Sequence, residues 1–185
     1  MMGRNHRTSG ILTGFGVGVA VGLSWPVLIP FTVITAVAAL LPDLDSYNSI
    51  AVKCLGPLGH PVCTGLRRLS QLLGGNAHRG LTHTVAAWLV VSALATLLVG
   101  VTSSFWWVAL AVSLGYLTHL AGDIGTIRGL PLLWPYRGWR DIKMPLRFKA
   151  GGSFENYVIR SLMIMGVCVL FLVHIGLVAW GLTYV

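Results

Sequence analysis

Long apolar stretches alternate with short polar connections along this chain. Five stretches stand out, at 10–23, 26–41, 84–101, 105–121 and 158–185. A helix needs about 20 apolar residues, with a range of roughly 17–25, to cross the hydrocarbon core of a bilayer, so the last three stretches are long enough. The first two are shorter, and they predict either a tight helical hairpin or a re-entrant pair. The pattern therefore predicts an all-α, polytopic integral membrane protein with about five transmembrane or re-entrant helices.

A row of glycines runs through the first apolar stretch. Gly10, Gly14, Gly18 and Gly22 recur every four residues, which places them on one face of a helix. Small residues at this spacing let helix backbones approach each other closely in lipid. The row predicts close packing against another backbone, and an oligomer formed through this face is one way to provide it.

The polar connection before the third stretch contains a further helical pattern. Between Val62 and Leu73, leucines are spaced around Arg67 and Arg68 as in an amphipathic helix that lies on a membrane surface. Such an interfacial helix could act as a lid or as a simple connector.

The composition agrees with a membrane protein. Hydrophobic residues make up 55% of the 185-residue chain and charged residues only 10%, whereas a soluble domain carries about 25% charged residues. This excludes a soluble enzyme and a disordered tail. The length suits one unit, so we predict a single membrane-embedded domain over 1–185.

The positive charges predict the orientation of the chain. It has 13 Lys and Arg against 5 Asp and Glu, a net charge of +8, and the connections at 24–25 and 102–104 carry no cation. All 13 cations therefore fall on one side of a five-helix arrangement. Because cytoplasmic loops are enriched in Lys and Arg, we predict a multi-pass protein of the bacterial inner membrane with a cytoplasmic N-terminus. The basicity then follows from topology, and nucleic acid is not expected as a partner.

Two basic segments allow a further interpretation. Arg4 and Arg7 before a short apolar run could belong to a cleaved signal peptide, but the run ends in Ser24-Trp25-Pro26 with no small-residue cleavage site. The segment 128–149 interleaves cations with tryptophan and tyrosine, which suits either contact with anionic lipid headgroups or a loop that only sets topology.

Histidines and carboxylates gather at the predicted cytoplasmic helix ends. They are His6, Asp43, Asp45, His78, His83, His119, Asp123 and Glu155. Ionisable groups at this depth are costly and mark functional sites by default. Imidazoles combined with carboxylates suit Zn²⁺, Mn²⁺ or Fe²⁺. We therefore predict a site for one or two divalent transition-metal ions, with zinc expected before manganese.

The spacing of these residues predicts how they are held. His119 and Asp123 are four residues apart and share one helix face. His78 and His83 are five apart, so we expect His78 in a turn and His83 in the first turn of the next helix, with Thr82 as its cap.

Other candidate ligands are set aside. His174 falls in the middle of the last apolar stretch, and His60 falls in a loop. Cys54, Cys63 and Cys168 form no Cys-x-x-Cys pair, so neither a disulfide framework nor a cysteine zinc site is expected.

Several motifs occur together over nearly the whole chain. They are His6, Leu-Leu-Pro-Asp-Leu-Asp at 40–45, His-Arg-Gly-Leu-Thr-His-Thr at 78–84, Gly-Tyr-Leu-Thr-His-Leu-Ala-Gly-Asp at 115–123, Gly-Leu-Pro-Leu-Leu-Trp-Pro at 129–135 and Gly-Gly-Ser-Phe-Glu at 151–155. In this order they resemble the bacterial inner-membrane family of metal-dependent hydrolases typified by the LexA-regulated YdjM proteins. The family often has a histidine after its Asp-x-Asp, where this chain has Ser46.

The resemblance implies a metal-dependent hydrolase. Its metal site would contain or adjoin His6, Asp43, His78, His83, His119, Asp123 and Glu155. The arrangement also resembles zinc-dependent phospholipase C enzymes, by analogy alone.

We therefore expect hydrolysis of a lipid or lipid-linked phosphoester or phosphoanhydride at the cytoplasmic interface by a metal-activated water. His78, His119 and Asp123 are the first-choice ligands, followed by Asp43 and His6. Glu155 or Asp45 is the expected general base, and Arg79 is expected to hold a phosphate oxygen.

Two alternatives stay open. A non-enzymatic, metal-stabilised membrane scaffold would bind the ion in a closed coordination sphere. An ion transporter would need ionisable groups in the middle of several helices, where only His174 is found. Covalent serine catalysis and nucleotide hydrolysis are disfavoured, since the chain has neither a Gly-x-Ser-x-Gly motif nor a glycine-rich phosphate loop.

Overall fold

The computed structural model describes residues 1–100, 105–145 and 147–179. Within these ranges the chain forms helices and no strands, so the predicted all-α class is confirmed. The α-helices are α1 (Gly3–Ala20), α2 (Trp25–Ala38), α3 (Ile50–Cys54), α4 (Gly59–Leu72), α5 (Val85–Val99), α6 (Trp106–Ile124) and α7 (Arg160–Ala179). Short 3-10 helices cover Leu41–Asp45, Gly56–Leu58 and Leu81–His83, and a π-helical segment, Phe154–Ile159, leads into α7.

The glycine row of α1 packs against α2. A Cβ atom on Gly10 would lie 2.7 Å from Cα of Ala36, and one on Gly14 would lie 2.9 Å from Cα of Thr32. The predicted close packing is therefore confirmed, and its partner is a helix of the same chain. Gly22 lies beyond the end of α1 in a turn with φ 72°. An oligomer through this face stays a prediction.

Among the described residues, three helices are long and apolar enough to cross a membrane. They are Trp25–Asp45, which includes the 3-10 turn after α2, together with α6 and the continuous segment Phe154–Ala179. The second apolar stretch, expected to be marginal, thus gains its length from that turn.

The prediction of a full span at 84–101 is wrong for the described residues. Helix α5 has 15 residues, which at 1.5 Å per residue reaches about 22 Å of the roughly 30 Å that a span needs. It ends at Gly100, whose φ of 76° is readily adopted only by glycine. Residue 101 and the connection 102–104 lie outside the described residues, as does 180–185 at the end of the fifth stretch.

Helix α6 lies at the centre of the bundle. It approaches α2 closely at Gly115, where an added Cβ would lie 2.7 Å from Cβ of Ala38. It meets α5 through a hydrogen bond from Trp88 Nε1 to Ser113 O of 3.1 Å. Because α1, α2 and α6 pack together, the start of α1, the end of α2 and the end of α6 meet at one end of the bundle.

The polar connections cover this end. The predicted amphipathic helix at 62–73 is present as α4, which begins three residues earlier. The connection after α6 folds back on itself through a bridge between Leu130 and Ile142. It is tied to the end of α4 by a hydrogen bond from Trp139 Nε1 to Leu73 O of 2.8 Å.

Candidate metal centre

Five ionisable residues from four segments converge at this end of the bundle. They are His6 from α1, Asp43 from the turn after α2, His83 from the turn before α5, and His119 and Asp123 from α6. Four of the five are buried, and Asp43 keeps 15% of its side chain exposed. The predicted sharing of a face by His119 and Asp123 is present, since their facing atoms are 3.9 Å apart.

The ligand atoms are spaced as a metal site requires. Nε2 of His83 and Nε2 of His119 are 3.2 Å apart. Oδ2 of Asp123 lies 3.8 Å from the first of these nitrogens and 3.9 Å from the second. Oδ1 of Asp43 lies 4.0 Å and 3.9 Å from the same two atoms. Tetrahedral zinc with nitrogen ligands at about 2.0–2.1 Å separates its ligand atoms by about 3.3 Å, so a small contraction would bring these atoms to that spacing.

The tautomer of His119 follows from its partner. Its Nδ1 lies 2.8 Å from the carbonyl oxygen of Ala39. A carbonyl oxygen only accepts hydrogen bonds, so Nδ1 carries the proton. Nε2 of the neutral ring therefore presents a lone pair toward His83 and Asp123.

The same reasoning applies to His83. Thr82 donates its hydroxyl proton to Oδ2 of Asp45 at 2.8 Å, so its oxygen is left to accept from Nδ1 of His83 at 3.0 Å. Nδ1 is thus protonated, and Nε2 of His83 also presents a lone pair. With both rings neutral, two lone pairs would face each other at 3.2 Å beside a carboxylate in a buried space, an arrangement that a cation between them would stabilise. Metal-bound histidines are held in just this way, with the outer N–H given to a carbonyl or a polar side chain.

His6 contacts two members of the cluster, His119 and Asp123. Its ring stacks on His119 with centroids 3.6 Å apart, and its Nε2 lies 3.2 Å from Oδ1 of Asp123. Nδ1 of His6 is buried without a partner among the residues that the structure describes. The amino group of Met1 also contacts Oδ1 of Asp123.

Asp45 organises the loop that carries both histidines of the 78–83 segment. It accepts hydrogen bonds from Nδ1 of His78 at 2.7 Å, from the backbone N–H of Arg79 at 3.0 Å and from the hydroxyl of Thr82. These bonds engage both oxygens of the carboxylate, which we expected to act as a general base. Asp45 belongs to one group of ligand atoms, with Asp43 and His83.

His78, expected as a first-choice ligand, lies beside the cluster. Its side chain is 33% exposed and is held by Asp45. None of the ligand groups found among the described residues includes it. Arg79, the next residue, adopts a φ of 58°, so the segment is not a regular helix, and His83 rather than His78 is the buried histidine.

Arg79 reaches the cluster from its outer side. Its Nη2 forms an ion pair of 2.9 Å with Oδ2 of Asp123, and its Nη1 donates to Oγ1 of Thr126 at 2.9 Å. Burial lowers the pKa of the guanidinium, and the nearby Asp43 opposes that shift. The guanidinium therefore pairs with the Asp123 carboxylate at the edge of the cluster.

Glu155 lies outside the ligand groups found in the described residues. It accepts from the backbone N–H of Met2 at 2.7 Å, from Nδ2 of Asn5 at 2.6 Å and from the backbone N–H of Gly151 at 2.8 Å. The buried carboxylate thereby fixes the first turn of α1, which carries His6. The expected role as a general base has no supporting contact here.

Two cavities open beside the cluster. One, of about 450 Å³, is lined by Arg79, Arg128 and Asp141 among others. The other, of about 360 Å³, is lined by Asp43 and by the start of α1. His78 lines both, so it stands at the opening of the site.

The two histidines that were set aside lie elsewhere. His60 is exposed and contacts Tyr47 with ring centroids 4.7 Å apart. His174 is buried against Trp25 and Phe15 on the α7 side of the bundle.

Sequence reasoning missed the groups that hold the ligands in place. They are the Ala39 carbonyl, Thr82 in this role, Asn5 and Thr126. Thr82 had a detectable signal, because it directly precedes His83, but it was interpreted as a helix cap. That cap is supplied by Thr84, which accepts from the backbone N–H of Ala87 at 3.0 Å.

The chain is similar to known inner membrane proteins. A sequence model of the family described as YdjM inner membrane protein matches residues 1–183. The inner membrane protein YdjM of Escherichia coli (strain K12) and that of Shigella flexneri are each 31% identical over 147 residues, which is 77% of this chain. The match covers 66% of each relative's own length, just under two thirds. No solved structure matches.

Proposed function

The chain belongs to the YdjM family of inner membrane proteins, and from this premise we propose that it is a membrane-embedded, metal-dependent hydrolase. Its substrates are lipid-borne phosphoesters or phosphoanhydrides. The observation that carries the proposal is the convergence of buried side chains, in which Nε2 of His83 and Nε2 of His119 lie 3.2 Å apart beside the Asp123 carboxylate.

The site lies on the cytoplasmic side in this proposal. The start of α1 and the ends of α2 and α6 carry the cluster, and the connections on that side carry the cations. The positive-inside rule orients such segments toward the cytoplasm. The substrate would therefore be reached from the inner leaflet.

His83, His119, Asp123 and Asp43 would hold the ion, with His6 as a further ligand or as a ligand to a second ion. Zinc suits this donor set, as does manganese. When bound, the ion activates water for attack on phosphorus and stabilises negative charge on phosphate oxygens.

His78 is the proposed proton acceptor. Asp45 accepts the Nδ1 proton of His78 at 2.7 Å, which leaves Nε2 free to take a proton from water. A carboxylate that orients a histidine in this way is a recurring catalytic arrangement. His78 lines both cavities, whereas the carboxylates of Asp45 and Glu155 are occupied by other donors.

Arg79 is the proposed phosphate ligand. Its guanidinium lies 2.9 Å from Oδ2 of Asp123, so a phosphate oxygen near Asp123 would fall within its reach. In the reaction, the water oxygen bonds to phosphorus and the bond from phosphorus to the leaving oxygen breaks. The leaving oxygen keeps the electron pair, and the proton of water passes to His78.

The test uses the full chain purified in detergent. We expect bound metal by elemental analysis and turnover of phosphatidic acid, polyprenyl phosphate or polyprenyl diphosphate, both lost in His119→Ala. His60→Ala is the matched control, since His60 is exposed and belongs to none of the ligand groups found among the described residues, and it should behave as wild type. Bound metal without turnover of any of these lipids would instead identify a metal-stabilised scaffold. Absence of metal from the wild-type protein would overturn the metal site itself.

A further inference from the structure

The cavity of about 450 Å³ beside the cluster is lined by a second arginine besides Arg79. Arg79 and Arg128 both line it, and Asp141 is the acidic residue in its wall. Arg79 already contacts Asp123. Among residues 1–100, 105–145 and 147–179, Arg128 has neither a hydrogen bond nor an ion pair with an acidic group. Its charge adds to that of Arg79 in the same space.

One turn of the chain positions both arginines. Thr126 accepts from Nη1 of Arg79 at 2.9 Å, and its own carbonyl accepts from the N–H of Gly129 at 3.2 Å. Arg128 lies between these two residues.

Backbone pairing between Leu130 and Ile142, just after this turn in the chain, holds the turn in place. Leu130 and Ile142 exchange backbone hydrogen bonds of 3.1 Å and 2.7 Å. Gly129, with φ 75°, lies against Ile142 so tightly that a Cβ would be 2.5 Å from its carbonyl oxygen. Hydrogen bonds therefore hold the backbone on both sides of Arg128.

We infer that this cavity binds a second phosphate group, so that the preferred substrate is a lipid diphosphate whose first phosphate lies at the metal cluster. The inference rests on the proposed function. Arg79 would contact the phosphate at the cluster, and Arg128 would contact the other. Clustered arginines bind phosphate oxygens strongly because the guanidinium matches them in geometry and charge.

The reaction then breaks the phosphoanhydride. Water bonds to the phosphorus at the cluster, and the bond from that phosphorus to the bridging oxygen breaks. The bridging oxygen keeps the electron pair and leaves with the phosphate held by Arg128, while one proton is released. The products are a lipid monophosphate and inorganic phosphate, and Arg128 stabilises the charge on the leaving group.

The first experiment measures binding without turnover. Inorganic pyrophosphate and inorganic phosphate are titrated into the purified, metal-free protein by calorimetry. Wild type should bind pyrophosphate more tightly than phosphate. Arg128→Gln should weaken pyrophosphate binding about fivefold, the scale of one exposed ion pair. Asp141→Asn should strengthen it, since a repelling charge leaves the same cavity.

Arg137→Gln is the matched control, because Arg137 lies in the same connection but does not line the cavity. It should leave pyrophosphate affinity unchanged. Equal affinities in Arg128→Gln and Arg137→Gln would overturn the inference.

The second experiment separates this inference from the proposed function. With metal present, Arg128→Gln should raise KM for a polyprenyl diphosphate by a larger factor than KM for the monophosphate. Wild-type turnover of both lipids with no effect of Arg128→Gln would overturn the diphosphate site and leave the hydrolase standing. Binding of pyrophosphate that depends on Arg128, without turnover of any lipid, would overturn the hydrolase and leave the anion site standing.

Discussion

His83 and His119 face each other through Nε2 atoms 3.2 Å apart, although they lie 36 residues apart in the chain. Each ring is locked in one tautomer by a different acceptor, Thr82 in one case and Ala39 in the other. Neither ring can relieve the contact by moving its proton without breaking a buried hydrogen bond, which costs about 1–3 kcal/mol. The geometry of the pair therefore suits a cation bound between the two nitrogens.

This arrangement predicts that metal stabilises the folded protein. A ligand that binds only the native state adds about 2.7 kcal/mol at a concentration 100 times its Kd. Removing metal with a chelator should lower the Tm of the purified protein, and adding zinc should restore it. In His83→Ala the chelator should have no effect, whereas His60→Ala should respond as wild type does. A wild-type Tm that is insensitive to the chelator would contradict the prediction.

The contact between His78 and Asp45 predicts a loss of rate without a loss of metal. His78→Asn removes the proposed proton acceptor, so kcat should fall about 10²–10⁴-fold while elemental analysis finds the same metal content. His119→Asn, the comparison, should lose both. If His78→Asn lost its metal as well, His78 would be a ligand, as its place in the sequence motif suggested.

The close approach of α1 and α2 predicts a site-specific loss of stability. Gly10→Ala places a Cβ 2.7 Å from Cα of Ala36, and overpacking of this kind costs about 1–3 kcal/mol. Its Tm should fall clearly. Gly65→Ala is the control in α4, where an added Cβ meets nothing within 4 Å, and its helix propensity should improve by about 1 kcal/mol. Equal Tm values for the two variants would argue against the packing.

The proposed topology predicts the accessibility of Cys54. This residue is exposed at the end of α3, on the side of the cluster, whereas Cys63 is buried. In a Cys168→Ala background, a membrane-impermeant maleimide should not label Cys54 in intact spheroplasts and should label it after lysis. Burial raises the pKa of the Cys63 thiol, so Cys63 should react slowly in both cases. Labelling of Cys54 in intact spheroplasts would place the site on the periplasmic side.

Helical spacing was enough to predict part of the site. His119 and Asp123 lie on one face because both belong to the regular helix α6, where the separation of two residues in sequence determines the directions of their side chains. The gathering of charged residues at one end followed from the alternation of apolar stretches. Both inferences depend only on regular structure.

The loop between Asp43 and His83 could not be predicted in this way. The sequence favoured His78 as a ligand, but His78 is 33% exposed beside the cluster and His83 is buried within it. Asp45 was expected to do chemistry, yet it holds three donors of the same loop. The roles of His78 and Asp45 depend on tertiary hydrogen bonds in an irregular segment, where the spacing of residues does not determine the direction of their side chains.

Glu155 has a consequence for the order in which the protein is made. It lies just before α7, and it holds Met2 and Asn5 in the first turn of α1. A ribosome must therefore synthesise the chain as far as Glu155 before the turn that carries His6 is secured. Nascent chains that stop earlier would lack these hydrogen bonds, so the side chains of the cluster would come together only after Glu155 has been made.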